Sequence, residues 1–196
     1  MPKRSAARVV RDVGALKALA HPLRMRLIHA LSASGEATVS ELARAVGASP
    51  ALVSYHVRQL AQHGFVQEAS TRSDGREHAY RRTPGGISWA TSDFARLPAG
   101  REVAATATRV NFGQQLARFE AWNDKRDEWG SDWADASLMT DTMLHLTPAE
   151  LGELSAELLA VIERYRVAGA KRSRRRPADS DREAVFAFAH AFPTQP

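Results

Sequence analysis

The chain has 196 residues, no cysteine, and 27 Lys and Arg against 22 Asp and Glu, a net charge of +5. That length fits one or two domains with a full core, and the missing cysteines exclude disulfides and thiolate metal sites. No run is long and apolar enough to span a membrane, and the basic start MPKRSAARVVRDV lacks the apolar stretch of a signal peptide, so a cytoplasmic location is expected. The charge is uneven. Residues 1–83 hold 13 Lys and Arg against 6 Asp and Glu, whereas residues 84–196 hold 14 against 16. A basic first half suits a phosphate-bearing partner, because bound Lys and Arg release condensed counterions.

The elements follow in order. Asp12 is placed to cap a short helix with Val13, Leu16 and Leu19. Pro22 heads a second helix with an apolar stripe of Leu23, Leu27, Ile28 and Leu31. Residues 32–35 read as a loop and residues 37–39 as a short strand. Thr38 and Glu41 spell a capping box for a third helix, with Leu42, Ala45 and Val46 on its apolar face and Gly47 at its end. Ser49 caps a fourth helix that has Pro50 at its first position. Val53, Val57 and Leu60 recur at helical spacing and face inward. Ala51, Leu52, Ser54, Tyr55, Arg58, Gln59 and Gln62 then face outward, with His56 at the boundary. Phe65 and Val66 open a strand, Ser73-Asp74-Gly75 turns it, and Ala79 and Tyr80 return, with Arg72, Arg76, Arg81 and Arg82 around the hairpin.

Helix, tight turn, helix and basic hairpin is the layout of a winged helix-turn-helix, which places its second helix in the DNA major groove. The stretches LKALAHPLRMRLIHAL and VSELARAVGASPALVSYHVRQLAQHGFV resemble the ArsR-type family of winged helix-turn-helix repressors. His21-Pro22-Leu23-Arg24 and Ser54-Tyr55-His56-Val57 carry the resemblance, which covers roughly residues 12–83. It implies a homodimer that binds a palindromic operator on double-stranded DNA and releases it on a signal. By it, residues 49–63 form the recognition helix and residues 65–83 the wing.

Past Thr83 the pattern changes. Residues 84–100 read as an irregular connector with an extended piece at 87–89. Residues 101–122 read as a helix whose apolar girth (Val103, Ala107, Val110, Phe112, Leu116, Ala117, Phe119, Ala121) suggests a dimer interface. Residues 120–163 hold 11 Asp and Glu against Lys125 and Arg126, with Trp122, Trp129 and Trp133. They read either as a solvated segment or as the wall of a ligand pocket, and repel phosphate. Residues 137–146 and 184–192 alternate as strands do. Between them Thr147-Pro148-Ala149-Glu150 opens a helix expected to run to about Val167, with Leu151, Leu154, Leu158, Val161, Ile162 and Tyr165 buried. A basic loop at 171–176 follows. The helix start and the terminal Ala191-Phe192-Pro193 resemble, more loosely, the C-terminal extension of longer actinobacterial members of the family.

The expected fold is therefore mainly α with small β elements. Residues 1–83 form a winged helix-turn-helix, residues 84–100 a connector, and residues 101–196 an α+β dimerisation and effector region. The candidate DNA-binding residues are Ser49, Ala51, Ser54, Tyr55, His56, Arg58, Gln59, Arg72, Arg76 and Arg81. Ser54, Tyr55, Arg58 and Gln59 suit base edges, and Ser49, Arg72, Arg76 and Arg81 suit phosphate or the minor groove. No cofactor, metal or catalytic residue is assigned. The histidines are scattered, and the one conceivable metal set, His145, His190 and Asp141, reads better as structural. Three other readings stay open: a sensor whose C-terminal region binds a small-molecule or metal effector, an enzyme carrying a DNA-targeting module, and an architectural DNA coater with little preference between operator and random DNA.

Overall fold

The computed structural model describes residues 8–71, 78–97, 99–175 and 182–194. Residues 8–126 and residues 127–196 are separate compact units.

In the first unit, β1 (Arg8–Val9) leads to α1 (Val13–Leu19), where the Asp12 carboxylate accepts from the Ala15 amide at 2.7 Å. α2 (Pro22–Ser34) starts at His21, whose Nδ1 accepts from the Leu23 amide at 3.1 Å. It runs through the residues expected as a loop and stops at Gly35. After β2 (Glu36–Thr38), the capping box opens α3 (Val39–Val46). The Glu41 amide donates to Thr38 Oγ1 at 3.2 Å and the Thr38 amide donates to Glu41 Oε2 at 2.8 Å. Gly47, at φ 61°, takes the left-handed conformation that ends the helix and turns the chain toward α4 (Pro50–Gln62). β3 (Val66–Thr71), β4 (His78–Arg82) and β5 (Ile87–Ser88) follow.

β4 lies between β2 and β3, antiparallel to both, so the short strand before α3 does pair with the hairpin. The expected turn at 73–75, with Arg72 and Arg76, lies outside the described residues. β1 and β5 pair in parallel, which stitches the start of the unit to the segment after the hairpin. Arg8 from this ribbon stacks over the Phe65 ring at 4.4 Å.

The core takes Leu16 and Leu19 from α1, Leu27, Ile28 and Leu31 from α2, Leu42 and Val46 from α3, and Val53, Val57 and Leu60 from α4. On α3, Ala43 is buried and Ala45 exposed, the reverse of the sequence reading. The residue after Leu42 is the one aimed at α2 and α4, between which α3 is wedged.

α5 (Gly100–Asp124) packs on α1 and α2 and buries Gly100, Ala104, Ala107 and Gln115. The compact unit extends to Arg126, because α5 covers core that the earlier helices leave open. The connector is anchored as well: Phe94, in the 3-10 turn Thr91–Phe94, is fully buried. Of the apolar positions expected to act together on α5, Ala107 is buried, while Phe112, Leu116, Ala117 and Ala121 face solvent.

The second unit holds α6 (Ser131–Ala136) and α7 (Pro148–Arg175). The Thr147–Glu150 capping box forms, with the Thr147 amide donating to Glu150 Oε2 at 2.7 Å and the Glu150 amide to Thr147 Oγ1 at 3.3 Å. Three expectations are corrected here. Residues 137–146 and 184–192 form no strand among the described residues, so this region is helical rather than α+β. Alternation makes two faces, but a strand also needs a neighbouring strand bonded to it, and among the described residues neither segment belongs to a sheet. α7 continues through residues 171–175, expected as a loop, since basic residues at a helix C-terminus complement its dipole. Finally, Leu158, Val161, Ile162 and Tyr165, expected to be buried, are exposed.

Candidate nucleic-acid interface

α4 is two-faced at the level of single residues. Val53, Val57 and Leu60 are fully buried, whereas Ala51, Leu52, Tyr55 and Arg58 are exposed and Ser54 and Gln59 are half-buried. The helix is fixed at its start by Ser49, whose Oγ accepts from the Leu52 amide at 3.3 Å. That bond occupies one acceptor site and leaves the hydroxyl proton free to meet an anion. Arg58 Nε donates to the Ser54 carbonyl at 3.3 Å, so its guanidinium lies along the outer face of the helix. Gln59 Nε2 donates to Gln62 Oε1 at 3.1 Å, and both amides stay on that face.

His56 does not belong to this face. It is buried, with its ring 4.5 Å from that of His21 at the start of α2. Its Nδ1 has no hydrogen-bond partner among the described residues. The position follows Tyr55 by one, and a 100° turn carries it from the outer face to the contact with α2. Burial first, then His21 and Arg24, lowers the His56 pKa. Burial and Arg24 lower that of His21. Both shifts favour the neutral rings, and their tilted contact joins α4 to the start of α2. The sequence marks His21 only as part of the motif that opens α2; its second role depends on a contact 35 positions away.

Arg81 sits in the middle of the three-stranded sheet, with Glu36 and Gln67 as its cross-strand neighbours. Its guanidinium is 3.8 Å from the Glu36 carboxylate, and the Gln67 side-chain oxygen accepts from Arg81 Nε and Nη2 at 2.8 and 2.9 Å. Arg81 is thus held on the sheet surface rather than swinging freely. Arg82 points the other way, donating to Ser32 Oγ at 3.2 Å and to the Gly85 carbonyl at 2.9 Å. Arg26 on α2 donates to the Val46 carbonyl and so caps the end of α3, a structural use of a cation that the sequence pattern does not mark. Among the described residues, no three His, Asp or Glu side chains gather to hold a metal ion.

The order α3, glycine turn, α4, with α4 exposing Arg58 and Tyr55 on its outer face and leading into a sheet that displays Arg81, is the geometry of a groove-reading module. Residues 19–68, from the end of α1 into β3, match the family model of a helix-turn-helix domain. The chain carries a helix-turn-helix domain. The match spans about a quarter of the sequence and takes in α2, α3 and α4. No curated protein is significantly similar to the chain. The helix-turn-helix domain supports DNA binding and a regulatory role. No described helix is long and apolar enough to cross a membrane.

Proposed function

We propose that this protein is a sequence-specific transcriptional regulator, a homodimeric repressor of the ArsR type acting on a palindromic operator. One observation carries the reading: α4 buries Val53, Val57 and Leu60 completely and exposes Ala51, Leu52, Tyr55 and Arg58 on the opposite side. In this reading α4 enters the major groove. Arg58 suits guanine and Gln59 adenine, while Ser54, Tyr55 and Ala51 line the same face. Ser49 at the helix start and Arg81 on the sheet contact phosphates, the role that the sequence pattern also gives Arg72 and Arg76. His56 is left out of the set because it is buried. Its part is to hold the helix that carries the others.

The test is selection of bound sequences from random DNA by the full chain. An enriched palindrome with half-sites about one helical turn apart supports the proposal. A single enriched half-site removes the dimeric part of it, and no enrichment over random DNA removes specificity altogether.

A further inference from the structure

α7 carries its charge in two blocks. Residues 148–163 hold Glu150, Glu153, Glu157 and Glu163 and no Lys or Arg, whereas residues 164–175 hold six Lys and Arg and no Asp or Glu. Along the same helix, Leu151, Leu154, Leu158, Val161, Tyr165 and Ala168 recur at steps of three and four, the spacing of a two-helix seam. Leu158, Val161 and Tyr165 are 40%, 45% and 69% exposed, and Leu151, Leu154 and Ala168 are half-buried. Soluble monomers seldom leave such a row of large apolar side chains in water.

We propose that a second copy of this chain docks on this face, α7 against α7, antiparallel about a twofold axis beside residues 159 and 160. The proposal rests on the homodimer reading above and names its surface. In this register Leu158 meets Val161 of the second copy, Leu154 meets Tyr165, and Leu151 meets Ala168, each contact made twice by symmetry. The positions flanking the seam then place Glu157 opposite Arg164 of the second copy, again twice. Parallel pairing would instead set the acidic block on the acidic block and the basic on the basic, with Glu157 beside Ile162. The sign pattern therefore selects both the partner and its direction. Glu150 already closes the capping box with Thr147, so the 157–164 pair carries the register. Glu163 and Arg166, bonded to each other at 2.6 Å, lie off the seam and leave it clear.

The experiment is sedimentation equilibrium on the full chain and on Glu157→Arg, Arg164→Glu, their double variant, and an equimolar mixture of the two singles. Each single should weaken the dimer by about tenfold, since like charges then face each other twice. The double variant should recover it, and the mixture should form heterodimers, because each chain then meets opposite charges. Leu158→Glu should abolish the dimer while far-ultraviolet circular dichroism stays unchanged, as the position is open to solvent in the monomer. A dimer of undiminished strength in all three single variants overturns this surface and leaves the homodimer reading intact. Weakened singles without recovery in the double overturn the antiparallel register. A wild-type chain that is monomeric at every concentration overturns both readings.

Discussion

His29, on α2, is expected to make this protein lose stability as the pH falls through a window that opens above the range where carboxylates titrate. Its Nδ1 accepts a hydrogen bond from Arg118 Nε of α5 at 3.2 Å. Burial, then the nearby Arg118 and Arg82 charges, lower its pKa from an ordinary 6.5 to about 4. Protonation would turn the acceptor into a donor facing a guanidinium and add a third positive charge to the cluster. A base whose folded-state pKa is depressed contributes stability that is complete above the unfolded pKa and is lost as pH falls. The window here runs from about 6.5 down to about 4. At 1.36 kcal/mol per unit the ceiling is about 3 kcal/mol, and the ring's partial contact with solvent reduces it to roughly 1–3 kcal/mol. Urea unfolding of the full chain, followed by circular dichroism at pH 7.5, 6, 5 and 4.5, measures this loss. His29→Gln keeps an acceptor without a titrating proton, so its stability should fall less over the same interval. Parallel pH profiles for the wild type and His29→Gln would refute the reasoning. His21 and His56, also lowered by burial, contribute to the slope in both proteins and cancel in the comparison.

Arg58→Ala should cost about 1–3 kcal/mol of operator affinity and relax the preference at one base position. Titration against the selected operator and its single-base variants checks this, and unchanged preference would count against base contact. Gly100→Ala should lower the melting temperature, because a Cβ there would sit 2.4 Å from the Phe94 carbonyl oxygen and 3.0 Å from Leu97 Cβ. Since the nearest atom is backbone, relief requires moving the start of α5, at a cost of about 1–3 kcal/mol; an unshifted thermal midpoint would show that the segment yields freely.

The starts of the helices were legible in the sequence because a cap is a local event. Asp12, Thr38 with Glu41, Ser49 with Pro50, and Thr147 with Glu150 each act on an amide within three residues, and each does so in the structure. The buried stripe of α4 was legible for the same reason, as the spacing of Val53, Val57 and Leu60 is set by helix geometry alone. What the tertiary structure decided is which of several apolar or polar positions meets a neighbour. Ala43 rather than Ala45 is buried because α3 lies between α2 and α4, and α5 turns Ala104 and Ala107 inward while leaving Phe112 and Leu116 outside because α1 and α2 cover only one side of it. His56 moves from the candidate site into its support through a ring on another helix. The alternating segments 137–146 and 184–192 show the same limit from the other side. A period of two fixes the faces of a strand, but only a neighbour that hydrogen-bonds to it makes the strand, and that neighbour is not written in the segment itself.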